Sequence, residues 1–301
     1  MSNPIQGNQV LIVTPFKPDL SLDEPSLVRL VDHLVEQGAA GIIALGTTGE
    51  FFSLSDDEKR RVVDVVAERT RGRTPLIVGV ANTDPVQSAG LAAYAKERGA
   101  AAVLAPPPYY ISPSSEGMVE HFSRIAQAGI DLMVYDGGGG IEIPIDVVAA
   151  VQARSTHMRY VKLTTPKVSK VAEIRQRFQG AISVFAGEDL LIMPELIEGA
   201  DGLTTAAGNL RCAELGRIFD LVQQGLLEEA QALHDRCIAP QALVTGAVRN
   251  EFVQCFKVAL KMTGIIDSDA VRPPLHRLSE SRIVQLKGML RHQGLLPSSV
   301  R

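Results

Sequence analysis

Lys162 sits in Arg159–Tyr160–Val161–Lys162–Leu163–Thr164–Thr165, a run that reads as a β-strand because Tyr, Val and Leu cluster and two Thr follow. A charged amine inside a strand is costly to bury unless it is paired. One reading is an exposed edge-strand lysine. The other is an amine kept for chemistry, because burial weighs against an ammonium and the neutral amine is a nucleophile. Tyr135 lies 27 residues earlier, at the end of another short apolar run. Beside such an amine it could relay protons; alone it reads equally as a core tyrosine with a satisfied hydroxyl. Gly46–Thr47–Thr48–Gly49 offers amide N–H groups and hydroxyls suited to a small carboxylate, and alone is an ordinary turn. Together the three point to Schiff-base chemistry on a 2-keto acid. The amine condenses with the keto group, and the protonated imine draws electrons for C–C or C–O cleavage.

The elements that must position these residues repeat along the chain. Short apolar strand candidates fall at Gln9–Thr14, Gly41–Leu45, Leu76–Ala81, Ala101–Ala105, Leu132–Tyr135, Tyr160–Leu163, Ile182–Ala186 and Gly202–Thr205. Amphipathic stretches lie between them. Ser26–Gln37 places Leu27, Leu30, Val31, Leu34 and Val35 on one face, the helical period. Ser55–Glu68 opens with Ser55 and has Glu58 three residues on, a capping box. Pro85–Arg98, Ser114–Ala128, Pro144–Ala153, Val168–Phe178 and Leu190–Glu198 continue the set, with Pro144 suited to a first helical turn. The fold class expected is therefore α/β: eight βα units closing a (β/α)8 TIM barrel. An open doubly wound sheet is the alternative, but it would put a Gly-rich phosphate turn after the first strand, where this chain has Thr14–Pro15–Phe16. After Arg211 the pattern turns helical, over Arg211–Gln224, Leu226–Val244, Arg249–Met262 and Ser281–Arg291. The expected division is a barrel carrying the active site over residues 1–225 and a C-terminal helical segment packed on it over residues 226–301.

In such a barrel, chemistry collects at the C-terminal ends of the strands. Those positions hold Gly46–Glu50, Pro106–Tyr110, Tyr135–Asp136 with four glycines, Lys162, Gly187–Asp189 and Thr204–Asn209. Lys162, Tyr135, Thr47 and Tyr110 are the catalytic candidates. Thr48, Gly46, Gly187, Thr204 and Thr205 are the substrate-binding candidates. Asp136 and Glu142 read as solvated loop charges, with a carboxylate pair for acid/base work as the alternative.

Composition narrows the function classes. In 301 residues the net charge is −4 with no basic block, which argues against a nucleic-acid partner. Cys212, Cys237 and Cys255 are widely spaced and fit small core residues rather than a disulfide frame or a zinc site. The six histidines form neither H-x-H nor H-E-x-x-H, so no catalytic metal is expected. Glu142 stands where a third glycine of G-x-G-x-x-G belongs, so no nucleotide cofactor is expected either. No apolar run approaches the roughly 20 residues needed to span a bilayer, and the first nine residues show no basic-then-apolar leader. The expectation is a soluble cytoplasmic protein that needs no cofactor and has no membrane partner.

These residues resemble the dihydrodipicolinate synthase / N-acetylneuraminate lyase family. Gly46–Thr47–Thr48–Gly49–Glu50 is similar to its substrate-carboxylate turn, and Pro108–Tyr109–Tyr110 with Pro113 to its tyrosine loop. Gly187–Glu188–Asp189–Leu190, with Pro194 and Gly199–Ala200–Asp201–Gly202, is similar to its seventh-to-eighth unit. The resemblance implies that Lys162 is the Schiff-base lysine, and that Tyr135, Thr47 and Tyr110 of a neighbouring subunit form a proton relay. It also implies a homo-oligomer, a dimer or a homotetramer built from tight dimers. Two departures stand out. The synthase branch carries Tyr-Asn-x-Pro-x-Arg-Thr-Gly after the fifth strand, whereas this chain reads Tyr135–Asp136–Gly137–Gly138–Gly139–Gly140–Ile141–Glu142, with Gly140 where the arginine clamp belongs. Leu163–Thr164–Thr165–Pro166 replaces the synthase's acidic residue after the lysine. The expected function is thus a lyase that releases pyruvate by retro-aldol cleavage or dehydrates a 2-keto-3-deoxy sugar acid. Synthase-type condensation of pyruvate with an aldehyde is the first alternative, and a non-catalytic keto-acid-binding barrel the second.

Overall fold

The computed structural model of the protein describes residues 5–248 and 250–297. The ends of both expected domains, and Arg249, expected to open a helix, lie outside the described residues. Eight parallel strands close on themselves: β1 (Gly7–Leu11), β2 (Gly41–Ala44), β3 (Leu76–Gly79), β4 (Ala102–Ala105), β5 (Asp131–Asp136), β6 (Met158–Leu163), β7 (Ser183–Ala186) and β8 (Gly202–Leu203). The last pairs with the first, Gly7 opposite Gly202 and Asn8 opposite Leu203. The fold is the expected barrel.

The strands read as unbroken apolar runs because both faces are buried. Alternate residues divide between two cores. Leu11, Ile43, Ile77, Met133, Tyr160 and Phe185 fill the barrel interior. Val10, Ile42, Val78, Val103, Val134 and Val161 face the surrounding helices. Lys162 follows Tyr160 by two, so the same alternation sends its side chain into the barrel.

The outer ring is α1 (Glu24–Glu36), α2 (Asp56–Thr70), α3 (Pro85–Glu97), α4 (Ser115–Ala126), α5 (Ile145–Arg154), α6 (Ser169–Phe178), α7 (Ile192–Ile197) and α8 (Gly208–Gln223). The Ser55–Glu58 capping box is complete: the Glu58 amide donates to Ser55 Oγ at 3.2 Å, and the Ser55 amide to Glu58 Oε2 at 2.9 Å. Pro144 stands one residue outside α5, at its N-cap. β8 is shorter than expected, yet the Thr204 amide still reaches Ala186 O at 2.7 Å and the Leu11 amide reaches Thr205 O at 3.3 Å. The backbone thus holds both threonines in line past the end of the ladder.

The C-terminal segment corrects one expectation. Leu226–Val244 is not a single helix but α9 (Leu227–Leu233), a π-helical turn at His234–Ile238 and α10 (Ala239–Thr245). Pro240 lies in the first turn of α10. Proline has no N–H, and its ring clashes with the carbonyl four residues back, so the wider turn opens where a regular helix would collide. α11 (Phe252–Met262) and α12 (Glu280–His292) follow. They pack on each other through Cys255, Ala259, Leu286 and Leu290. All three cysteines are buried. Among the described residues, no helix is long and apolar enough to cross a membrane.

Asp136 and Glu142 need a second correction. Asp136 is not a solvated loop charge: it is fully buried and ion-paired to Lys170 on α6. Glu142 is exposed and bonds Lys167 Nζ at 2.8 Å. The run of glycines around them looks like open loop, but Asp136 is the last residue of β5 and faces outward, beneath α6.

Candidate active site

Lys162 and Tyr135 are neighbours across the β5–β6 ladder. The Lys162 Nζ lies 4.2 Å from the centre of the Tyr135 ring. Lys162 is 3% exposed, and among the described residues no carboxylate is in ion-pair contact with its amine. Its aliphatic stem passes beside Gly187. A Cβ on Gly187 would come within 2.8 Å of Lys162 Cε and 2.3 Å of Leu163 O. Glycine is therefore required here by close approach, at the end of the adjoining strand. Gly187→Ala is expected to displace Lys162 and slow adduct formation with a keto acid by roughly 10²-fold, the scale of an ångström-level misplacement. Stopped-time trapping of the adduct measures this, with a denaturation midpoint as the check on folding.

A cavity of about 490 Å³ opens above the amine. Thr47, Thr48, Tyr135, Lys162, Gly187 and Thr204 all line it. The turn bearing the two threonines is held by Gly49 N–H to Gly46 O at 3.0 Å and Glu50 N–H to Thr47 O at 3.1 Å. Leu45 and Glu50, on either side of it, both adopt left-handed backbone, at φ 59° and 54°. Such conformations cost of order 1 kcal/mol or more each and persist only where the surroundings impose them. Among the described residues no hydrogen bond engages the amides of Thr47 or Thr48.

Three predicted residues do not line the cavity. Gly46 supports it from behind, against Leu11. Thr205 faces the Asp189 carboxyl. Tyr110 is 98% exposed on the loop after β4, with φ 80°, beside Ile111 at 74% exposure. Together with Pro85, Pro113 and His121 it borders a separate apolar hollow.

The cavity also has walls that sequence reasoning missed. Asp189 is one. Its Oδ1 is buried without a hydrogen-bond partner among the described residues. Burial pushes its carboxyl up to about 6, although the Thr205 hydroxyl, the Ala207 amide and the Lys162 amine pull it down. Thr205 faces this carboxyl without forming a well-aligned bond, since its own Oγ1 is also unpartnered, as is that of Thr204. Thr245, Asn250, Phe252 and Phe256 of the C-terminal segment close the far side, and no spacing in the chain marks them. Behind Gly187 lies Glu195 on α7, fully buried and, among the described residues, with neither carboxylate oxygen hydrogen-bonded. Burial, reinforced by the charge of Glu188, pushes its carboxyl up to about 8, so it is mostly protonated at neutral pH. Among the described residues Lys162 is the sole cation on the cavity wall.

A profile of the Dihydrodipicolinate synthetase family matches residues 4–293. The chain belongs to this family. It is similar to the 4-hydroxy-tetrahydrodipicolinate synthases of Syntrophus aciditrophicus (strain SB), at 31% identity over 97% of this chain and 99% of that one, and of Prosthecochloris aestuarii (strain DSM 271 / SK 413), at 32% identity over 98% and 100%. Among solved structures it resembles dihydrodipicolinate synthase from Aquifex aeolicus, with a TM-score of 0.92 and 28% identity over 96% of this chain and 98% of that one. It also resembles a monomeric dihydrodipicolinate synthase variant, with a TM-score of 0.90 and 28% identity over 98% and 99%. The dihydrodipicolinate synthetase family is a family of enzymes of the aldolase type that use pyruvate. At about 30% identity this chain is a divergent member of it.

Proposed function

We propose that the protein is a lysine Schiff-base enzyme that takes up pyruvate or a close 2-keto acid and makes or breaks a bond at its C3 carbon. The observation that carries this reading is the buried Lys162 amine, with no carboxylate in ion-pair contact among the described residues, facing Tyr135 in one cavity with Thr47 and Thr48. The Thr47–Thr48 turn takes the carboxylate. The Lys162 amine attacks the keto carbon, the former keto oxygen takes one proton from the nitrogen and one from solvent and leaves as water, and a protonated imine forms. Loss of a C3 proton through the Tyr135 hydroxyl gives the enamine. Its C3 adds to the carbonyl carbon of an aldehyde, the carbonyl oxygen takes a proton, and water then hydrolyses the imine to free the product. Run in reverse, the same steps release pyruvate. The names of the relatives favour the condensing direction. Incubation with pyruvate and borohydride, followed by peptide mass mapping, tests the reading: the expected adduct is on Lys162, and its absence there would sink the proposal. An adduct without turnover of any aldehyde or keto-acid substrate would favour a binding protein.

Tyr135→Phe keeps the ring against Lys162 and removes only the hydroxyl. It is expected to lower kcat by roughly 10²–10⁴-fold, the usual worth of a positioned proton carrier, while the pyruvate adduct still forms. Equal loss of adduct and turnover would argue against proton relay.

A second reading of the partner is favoured by the unpartnered Asp189 Oδ1 and Thr204 Oγ1 and by the absence of a second cation among the described lining residues. Hydroxyl groups would satisfy these atoms, whereas a second carboxylate would find no clamp. The partner would then be the hydroxylated end of a 2-keto-3-deoxy sugar acid. Preferential turnover of aspartate semialdehyde with pyruvate over such sugar acids would overturn this reading.

Tyr110 and Ile111 are too apolar to stand in water without cause. We assign them to contact with a second copy of the chain, from which Tyr110 would reach the neighbouring site. Tyr110→Ala is expected to shift sedimentation toward a smaller species and to lower kcat, and an unchanged sedimentation profile would refute the assignment.

A further inference from the structure

The glycine loop that borders the cavity is tied down at its base by charge. Gly137, Gly139 and Gly140 line the mouth, all with left-handed backbone at φ 88°, 66° and 80°. The loop's internal bonds are Gly137 N–H to Ile141 O at 3.0 Å, Gly140 N–H to Gly137 O at 2.9 Å and Ile141 N–H to Gly138 O at 3.2 Å. A Cβ on Gly140 would meet nothing within 4 Å, whereas one on Gly138 would press on Pro106 and Tyr135 and one on Gly139 would touch Tyr109, so the loop is open at Gly140. Glycine gives up the most conformational freedom on ordering, and a chain of four needs an outside anchor.

Asp136 and Lys170 supply one. The Ile143 amide donates to Asp136 Oδ1 at 2.8 Å, and Lys170 Nζ donates to Ile143 O at 2.7 Å. Asp136 Oδ2 forms an ion pair with Lys170 Nζ, closing a ring of two hydrogen bonds and one ion pair around the backbone of Ile143. Lys170 reaches Glu142 Oε1 as well, at 3.2 Å. From the other side, Thr164 donates to Asp136 O through its amide at 3.0 Å and its hydroxyl at 3.1 Å. Lys170 is the second residue of α6, where a cation opposes the helix dipole. A buried ion pair is a weak source of stability, and fixing one geometry among several is its better-attested use.

We propose that the Asp136–Lys170 pair is a latch that holds the glycine loop in place at the cavity mouth, so that α6 sets the width of the opening and which carbonyl partner reaches Lys162. The part concerning the partner rests on the Schiff-base reading; the latch itself does not. Asp136 and Lys170 are positioning residues and touch no reacting atom.

The test uses the full-length chain carrying Lys170→Met, Asp136→Asn and the two together. Hydrogen exchange of peptides spanning residues 137–143 is measured beside the borohydride-trapped pyruvate adduct and the kinetics of glyceraldehyde addition to pyruvate. In Lys170→Met the loop is expected to exchange about tenfold faster or more, with the yield of adduct on Lys162 unchanged. The KM for glyceraldehyde should rise about fivefold with kcat nearly constant. The double variant should have a urea midpoint nearer the wild type than either single one, because neither charge is then left buried alone, yet keep the fast loop exchange, and Lys170→Arg should restore protection. Unchanged loop exchange in Lys170→Met overturns the latch. So does a parallel loss of the adduct, which would mean that the pair holds the β5–β6 strands and not the loop. Should Lys170→Met fail to fold, Lys170→Gln carries the same expectations. A wild type that forms no adduct would strike the Schiff-base reading and leave the exchange result to decide on the latch.

Discussion

Lys162→Met is expected to abolish the pyruvate adduct and lower turnover by roughly 10³-fold or more, while leaving stability unchanged or raised. Three lysines are buried in this protein: Lys162, Lys170 and Lys257. Lys170 is paired with Asp136 and Lys257 with Glu50. Lys162 alone among them has no acid in contact, only the face of Tyr135. Methionine is close to lysine in length and shape, so replacing an unpaired buried amine strands no carboxylate and adds apolar contact. Loss of function with a gain in stability marks a residue held against the interest of the fold. Lys162→Arg separates nucleophile from charge, because a guanidinium stays protonated and forms no imine. It should be as inactive as the methionine variant and, having to bury a larger cation, less stable. Adduct mapping and urea unfolding of the two variants measure both halves. A methionine variant that loses stability like a broken ion pair, or an arginine variant that retains turnover, would contradict the assignment.

The barrel was legible because the signal for it is local. Each strand is an unbroken apolar run, each helix has a periodic face, and the repeat of about one βα unit is visible without any long-range information. Placing Lys162, Tyr135, Thr47 and Thr48 at strand ends then required only counting. What escaped depends on contacts between distant residues. Asp136 looked solvated because four glycines follow it, and nothing local says that Lys170 of α6, one βα unit further on, will cover it. Asp189 was in view at a strand end but was given no role there; its unpartnered oxygen is visible only once Thr205 and the C-terminal segment close around it. The π-helical turn at His234–Ile238 was hidden for a different reason. Pro240 signals trouble for a helix, but whether the chain breaks, kinks or widens is settled by what packs on either side.

Glu50→Gln and Lys257→Met are each expected to lower stability by about 3–5 kcal/mol, the scale for leaving one partner of a buried pair uncompensated, and to loosen the carboxylate turn as they do so. Glu50 directly follows Thr47–Thr48–Gly49 and is fully buried in left-handed backbone. One carboxylate oxygen takes Lys257 Nζ from α11, 207 residues away in the chain. The other accepts the Arg272 amide at 3.0 Å. The Phe16 ring stacks against both cations, 4.1 Å from Lys257 Nζ and 4.3 Å from the Arg272 guanidinium. Arg272 continues outward to Glu58, whose carboxyl it holds at about 2. The turn that would hold the keto-acid carboxylate is thus bolted to the same helix whose Phe252 and Phe256 close the cavity. Burial pulls the Lys257 ammonium down to about 8 against the opposing pull of the Glu50 carboxylate, so the amine is mostly protonated at neutral pH. The double variant Glu50→Gln with Lys257→Met removes both buried charges and should recover a large part of the lost stability. It should not recover pyruvate affinity, because the turn keeps its strained conformation only while both its ends are held. Urea midpoints and the KM for pyruvate across the four proteins of this cycle decide the matter. Recovery of stability and KM together would reduce the pair to a structural contact. Recovery of stability without KM would establish that the C-terminal helices position the carboxylate turn.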